Sequence, residues 1–197
     1  MPVPICLVCG TPLLHGDLCR ACRRAPLEID GIRSVGLHQG PLRHAIHGLK
    51  YRRQRDLVGP LAGLLAAYLN DHPLPADVLV PVPLHRERQR ERGYNQSALL
   101  ARGIAGPELP VVEDALVRLR PTAVQMTLGR DERRQNVAGA FGCRDGALRG
   151  RRVLLIDDVC TTGATLEACA AAARQAGAAS VWALTLSRES GGLVGRT

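Results

Sequence analysis

The sequence predicts an α/β fold, a parallel sheet flanked by helices, with a small four-cysteine module in front of it. Three observations carry this. Apolar runs at Asp77 to Pro83, Val153 to Ile156 and Val181 to Leu186 are separated by stretches of helical periodicity, the order that builds a sheet with crossover helices. Val153 to Ile156 is apolar at every position, which suits a strand covered on both faces. Four cysteines fall within the first 22 residues, ahead of all of these elements. The expected boundaries are 1–28 for the cysteine module, 29–190 for the main domain and 191–197 for a frayed tail.

Bulk properties narrow the class. A chain of 197 residues holds one medium domain plus an appendage, and buries roughly 70% of its unfolded surface without needing disulfides. The formal net charge of +8 points to a polyanionic partner, either nucleic acid or a pyrophosphate-bearing substrate. Aromatic residues make up 3% of the chain, too few for a surface of stacking platforms. No basic segment precedes a long apolar run, and Leu57 to Leu69 is too short to cross a bilayer and contains Gly59, Pro60 and Gly63. A cytoplasmic protein is expected, in which seven cysteines do not form a disulfide framework.

The elements follow in order. Cys6 and Cys9, then Cys19 and Cys22, are two C-x2-C pairs separated by nine residues, a spacing that makes a tetrahedral four-sulfur site suited to structural zinc. Gly10 follows the first pair, where the tight turn needs an unhindered backbone. His15 reads as a loop residue. Pro26 to Gly31 reads as a linker and Ile32 to His38 as a strand. Gly40-Pro41 opens a helix with Leu42, Ala45, Ile46 and Leu49 on one face; His44 and His47 on it read as solvated. Lys50-Tyr51-Arg52-Arg53 is a basic knot, either a solvated helix end or a phosphate contact. A second helix packs Leu57, Val58, Leu61, Leu64, Leu65, Tyr68 and Leu69 on the sheet. Pro81 and Pro83 fix a rigid exit from the next strand, and the Arg/Glu-mixed segment from His85 to Arg92 reads as a helix. Leu119 to Gly139 is long, polar and without apolar periodicity, the mark of a loop or lid.

The most informative stretch runs from 153 to 165. Asp157 and Asp158 follow the apolar run at its C-terminal end, where open α/β sheets put their ligands. Thr161, Thr162 and Thr165 then bring hydroxyls, Gly163 permits close backbone approach, and the run from Leu166 to Ala176 is a helix whose N-terminal N–H groups face an anion. Gly177 ends that helix. Cys160 reads as a spacer, and Trp182 in the last strand as core.

Segment 153–165 resembles the phosphoribosyl pyrophosphate (PRPP) fingerprint of type I phosphoribosyltransferases: four apolar residues, two acids, then a Thr-Thr-Gly loop. The resemblance implies a type I phosphoribosyltransferase-like domain in which Asp157 and Asp158 take the ribose hydroxyls, with Mg2+ bridging through the ligand, and Thr161, Thr162, Gly163, Ala164 and Thr165 take the 5′-phosphate. The wider set of Leu49-Lys50-Tyr51, Pro81-Val82-Pro83-Leu84, Arg92 to Gln96, Leu99 to Ala101, Gln125 to Leu128, Arg133 to Val137 and Ala140-Phe141, with the cysteine module, is similar to ComF-type proteins. On that footing Lys50, Pro83, Leu84 and Arg92 join the phosphate-binding candidates. Arg130, Arg133 and Arg134 are candidates for a lid over pyrophosphate, with Gln125 and Asn136 as neutral hydrogen-bonding groups. Several members of that family act in uptake of transforming single-stranded DNA with a helicase-like translocase, so both are expected partners. The resemblance names no acceptor. A phosphoribosyltransferase, and a non-catalytic adaptor or nucleotide sensor that retains the pocket, are the two functions it allows.

Overall fold

The computed structural model describes residues 4–24, 27–120, 137, 139–144 and 146–189. In chain order its elements are α1 (Arg20–Arg24), β1 (Gly31–Leu37), α2 (Gly40–Tyr51), α3 (Val58–Asp71), β2 (Val78–Pro81), α4 (Arg86–Arg92), α5 (Gln96–Ile104), β3 (Leu116–Arg118), β4 (Phe141–Cys143), β5 (Arg152–Cys160), α6 (Ala164–Gln175) and β6 (Ser180–Arg188). Four strands make an all-parallel sheet in the order β1-β6-β5-β2, and β3 and β4 form a separate antiparallel pair. The predicted α/β class is therefore the observed one. The lid candidates Arg130, Arg133 and Arg134, with Gln125 to Leu128 and Asn136, lie outside the described residues, as do Pro26 and the 191–197 tail.

β5 is covered on both faces, as its unbroken apolar run requires. Val153 and Leu155 point to a cluster closed by Leu166, Cys169, Ala170 and Ala173 of α6. Leu154 and Ile156 point the other way, to Ile46 and Leu49 of α2, Leu61 and Leu65 of α3, and Leu100 of α5. The strand is longer than the apolar run and continues through both acids to Cys160. Thr185 and Ser187 of β6 pair beside it and extend the ladder past the last apolar residue.

The chain leaves β2 toward α5 on one face and leaves β5 toward α6 on the other, although the two strands are neighbours. Such a switch point opens a crevice at the carboxyl ends of the strands. Asp157 and Asp158 stand beside it.

Both sheet edges are covered. Along β2, Leu79 N–H donates to the Pro110 carbonyl at 2.9 Å and the Leu79 carbonyl accepts from Val112 N–H at 2.8 Å. Along β1, Ile32 N–H donates to the Val8 carbonyl of the cysteine module at 2.7 Å. Gly10, at φ +69°, lies so near the Ile32 carbonyl that a Cβ there would collide with it, so the module seats on the edge only with glycine at that position. The expected linker is likewise part of the core boundary. Ile29 is buried, and the Asp30 carboxylate accepts from Arg174 and from the Val181 N–H, each at 2.6 Å.

One expectation about a side chain is corrected. Leu64 is 43% exposed, because the packed face of α3 centres on Leu61 and Leu65 and leaves Leu64 at its rim. Trp182 packs on the core as expected, partly buried: its indole covers Gly31 and carries the Arg33 guanidinium 5.2 Å from the ring centre. A Cβ on Gly31 would overlap that indole. Gly31→Ala is therefore expected to lower the urea midpoint by about 1–3 kcal/mol of stability at unchanged m-value; an unchanged midpoint would mean that the ring moves aside without cost.

Candidate functional site

The buried polar residues of the described chain are Gln96, Ser97, Asp158, Thr185, Ser187 and Arg188, and all belong to α5's first turn or the carboxyl-terminal halves of β5 and β6. Buried polar groups are costly unless paired. Their collection at one end of the sheet marks that end as the site.

Asp158 is buried and its Oδ1 holds the Lys50 ammonium at 2.8 Å. Burial pulls the Lys50 ammonium down, but the charge and hydrogen bond of Asp158 hold it above the ordinary lysine range. Lys50 is thus not a solvated helix end; its ammonium is held by a buried carboxylate. Asp157 accepts from Ser97 Oγ at 2.8 Å and from the Asp158 N–H at 2.9 Å. Burial first, then the neighbouring Asp158, push its carboxyl up to about 7. Ser97 is held in turn by Asn95, whose side chain caps α5 by accepting from the Ser97 N–H at 3.0 Å and donates to the Val82 carbonyl at 3.0 Å. The loop after β2 and the acids of β5 are therefore tied through one asparagine and one serine.

After Cys160 the chain bends through Thr161 and Thr162, and Gly163, at φ +82°, turns it into α6. Thr162 Oγ1 accepts from the Ala164 N–H at 3.4 Å. The N–H groups of Thr165 and Leu166 have no acceptor among the described residues. Three threonine hydroxyls and a helix start form a cradle suited to an anion, beginning three residues after Asp158.

Arg92 and Lys50 line one cleft of about 350 Å3 with Tyr51, Arg53, Arg88 and Glu91. Arg53 sits at φ +54°, the one non-glycine residue with positive φ among those described, and donates to the Glu91 carbonyl at 3.2 Å. Arg92 lies 5.6 Å over the Tyr51 ring and also bonds Gln96. Pro83 and Leu84 instead line a larger cavity of about 870 Å3 on the far side of α4 and α5. The cradle of Thr161 to Thr165 lines neither. The predicted phosphate-binding residues are thus spread over three neighbouring features.

The second constellation is the cysteine module. The sulfurs of Cys6, Cys9, Cys19 and Cys22 lie within 4.8 Å of one another and can hold a metal ion. Cys9 and Cys19 sulfurs are 3.6 Å apart, close to the ~3.8 Å edge of a tetrahedron with 2.3 Å metal–sulfur bonds. Backbone N–H groups of Cys19 and Cys22 point at the sulfurs of Cys6 and Cys19, at 3.4 and 3.5 Å. Burial and the neighbouring Cys9 push the Cys22 thiol well up, which is the strain that a bound cation removes. The module is wired to the sheet end by Arg188, a buried residue that bonds the Cys9 carbonyl and lies 3.4 Å from Thr11 Oγ1.

Comparison with known proteins bears on the family. The chain is 33% identical over 91% of its length to the DNA utilization protein YhgH of Escherichia coli (strain K12), covering 83% of that protein. It is 32% identical over 92% of its length to competence protein F of Haemophilus influenzae, covering 84%. The chain belongs to the ComF family. Competence protein ComFC of Bacillus subtilis is a further ComF relative, 31% identical over 93% of this chain and 78% of its own length. No family model matches. Among solved structures, glutamine PRPP amidotransferase from B. subtilis, complexed with ADP and GMP, superposes at a TM-score of 0.49 and 21% identity, over 71% of this chain but only 30% of the enzyme. Purine phosphoribosyltransferase from Pyrococcus horikoshii superposes at 0.39 and 17%, over 68% and 83%. Likenesses at this level carry no functional weight.

Sequence reasoning missed Ser97, Arg188, Ser187 and His38. Ser187 Oγ and His38 Nδ1 are 2.8 Å apart, and burial followed by Lys50 holds His38 below the ordinary histidine range. The available signal was small: Ser187 and Arg188 are polar residues directly after the apolar run of the last strand, and Ser97 follows a capping asparagine by two.

The raised Asp157 carboxyl links stability to pH. Between about pH 4 and 7 the folded chain keeps a proton that the unfolded chain releases, so stability falls as pH rises through that window. Asp157→Asn is expected to be more stable than the parent at pH 8, by on the order of 1–3 kcal/mol, and to lose that advantage by pH 4. Urea midpoints across pH check this, and a pH-independent difference would mean that the carboxyl titrates normally.

Proposed function

We propose that this ComF-family chain binds PRPP or a closely related phosphoribosyl compound at the end of β5 and acts as a phosphoribosyltransferase in natural competence, inside the cytoplasm. The observation that carries the reading is the succession of two enclosed carboxylates and an anion cradle within nine residues, Asp157 to Thr165, at the switch point of a parallel sheet. In this reading the ribose hydroxyls donate to Asp157 and Asp158. The 5′-phosphate takes the N–H groups and hydroxyls of Thr161 to Thr165, including the backbone of Gly163 and Ala164. Pyrophosphate lies toward Lys50, Arg92 and the Pro83-Leu84 loop, with Arg130 and Arg133 as lid residues.

Fit to Mg2+ is supported by Asp158 Oδ2, a buried carboxylate oxygen with no hydrogen-bond partner, and by the hard oxygen donors of both acids. When bound, Mg2+ supplies charge neutralisation to pyrophosphate. The chain's own residues do the rest. Ser97 fixes the Asp157 carboxylate so that it accepts from a hydroxyl, and Lys50 holds Asp158 in place at 2.8 Å. As the bond from the anomeric carbon to pyrophosphate breaks, positive charge grows on the ring, and carboxylates on its hydroxyls stabilise that charge. Protonation of Asp157 below about pH 7 removes one acceptor, so activity falls on the acid side.

A second reading, a non-catalytic adaptor that keeps the pocket and binds single-stranded DNA or a helicase-like translocase, is favoured by the arginine-rich cleft around Tyr51 and by the relatives' names, competence protein F and DNA utilization protein. Titration calorimetry with PRPP and Mg2+, then pyrophosphate release across the common nucleobases, separates the two. The enzyme reading expects binding and release with one base; binding without release from any base leaves the adaptor. The Asp157→Asn, Asp158→Asn double variant is expected to fold and to lose PRPP binding at least tenfold, and unchanged affinity would move the site elsewhere.

For the cysteine module the reading is one structural zinc held by Cys6, Cys9, Cys19 and Cys22. Elemental analysis of freshly purified protein is expected to give one zinc per chain, and Cys9→Ser to lower both zinc content and melting temperature. A metal-free protein with unchanged melting temperature would remove the claim.

A further inference from the structure

The cavity of about 870 Å3 between β2's exit, α5 and the β3–β4 pair is not needed to hold the sugar, yet it is larger than the cleft of about 350 Å3 beside Lys50. Its charge is one-sided. Five arginines, Arg55, Arg86, Arg102, Arg118 and Arg144, line it against two carboxylates, Glu113 and Asp114, and no lysine does. Glu113 already takes the fork of Arg102, with one nitrogen–oxygen distance of 2.7 Å, and Asp114 reaches Arg144 only at 3.8 Å. Arg55 and Arg86 have no carboxylate partner among the described residues. Arg118 is half-buried over the Phe141 ring, 5.3 Å from its centre, and burial together with the nearby Arg88 holds its guanidinium below the ordinary range.

Pro81, Pro83, Leu84, Leu99 and Leu116 form an apolar strip of the wall, and His85, Gln89 and Asn95 add neutral polar groups. Tyr94 adds a ring that stacks with Arg55 at 4.6 Å. Arginine forks match a planar carboxylate in two hydrogen bonds, and their faces accept aromatic rings. Convergent arginines beside an apolar strip suit a small anionic ligand with a ring, and the volume lies in the range of small-molecule sites.

We infer that this cavity is a binding site for an aromatic or heteroaromatic carboxylate, its acid group on the arginines and its ring on the proline–leucine wall. Position gives it a role. Pro83 and Leu84 belong to the loop tied to Asp157 through Asn95 and Ser97, and Arg118 is near enough to Asp157 for their charges to interact. The bound acid is the acceptor of the proposed transfer, a role that rests on the phosphoribosyl reading while the binding does not. A ring nitrogen or ring-borne amine then forms its bond to the anomeric carbon as the carbon–oxygen bond breaks; pyrophosphate departs with that electron pair and the nitrogen's proton passes to solvent.

The test uses the full chain and three pairs of probes that differ by a carboxylate or its charge: orotate and uracil, nicotinate and nicotinamide, anthranilate and aniline. Calorimetry is run first without PRPP, then with PRPP and Mg2+. At least one acid is expected to bind at least tenfold tighter than its neutral twin without PRPP. Arg86→Gln with Arg144→Gln, both on exposed parts of the wall so that the core is spared, is expected to remove that preference while the melting temperature holds. Equal binding within every pair, or a preference that survives in the double variant, overturns the site. PRPP affinity is read separately in the same samples, so its absence would sink the phosphoribosyl reading and leave the acid preference standing.

Discussion

Two adjacent carboxylates at the end of a strand buried on both faces impose the constraint on which the rest of the structure depends. A strand alternates its side chains, so Asp157 and Asp158 point in different directions and take different hydrogen-bond partners, although the Lys50 charge acts on both. Each requires its own. Asp158 meets the α2 side and takes Lys50; Asp157 takes a serine hydroxyl and a backbone N–H. Helix ends must therefore sit at the height of the acids: α2 finishes at Lys50 and Tyr51, and α5 starts at Gln96 and Ser97. The left-handed glycine that ends α4 and the asparagine that starts α5 serve that placement.

The two partners differ in what they do to charge. Asp158 has a lysine 2.8 Å away, whereas for Asp157 a serine hydroxyl offsets only part of the desolvation cost, which leaves its carboxyl high. One acid is thus paired with a cation and the other has its carboxyl held high, although the two are consecutive in sequence. Such a separation of roles by environment is a common feature of sites that act on protons or cations.

The same end of the sheet is where the metal-ligand module attaches. A separate module tethered by a loop would move independently. Here the Val8 carbonyl completes the open edge of β1, Gly10 packs on the Ile32 backbone, and Arg188 reaches from β6 to the Cys9 carbonyl. Ile32 in turn contacts Gly163 of the anion cradle, since its side chain would lie against any Cβ placed there. The module is therefore part of the packing that fixes the cradle, and it also shields a strand edge that would pair with other chains.

The local elements of this protein were legible in its sequence because they depend on local chemistry: unbroken apolar runs for buried strands, 3.6-residue periodicity for α2 and α3, glycine where the backbone turns left-handed, and C-x2-C spacing for four convergent sulfurs. The acids and the cradle were legible for the same reason, since Asp157 to Thr165 is one continuous segment. Tertiary structure alone decided the strand order, the pairing of Lys50 with an acid 108 positions away, the role of Ser97, the antiparallel β3–β4 pair, and which arginines share a cavity. The physical reason is that these depend on contacts between distant parts of the chain. A lysine at a helix end has the same sequence signature whether it faces water or a buried carboxylate, and only the packing of α2 against β5 distinguishes the two.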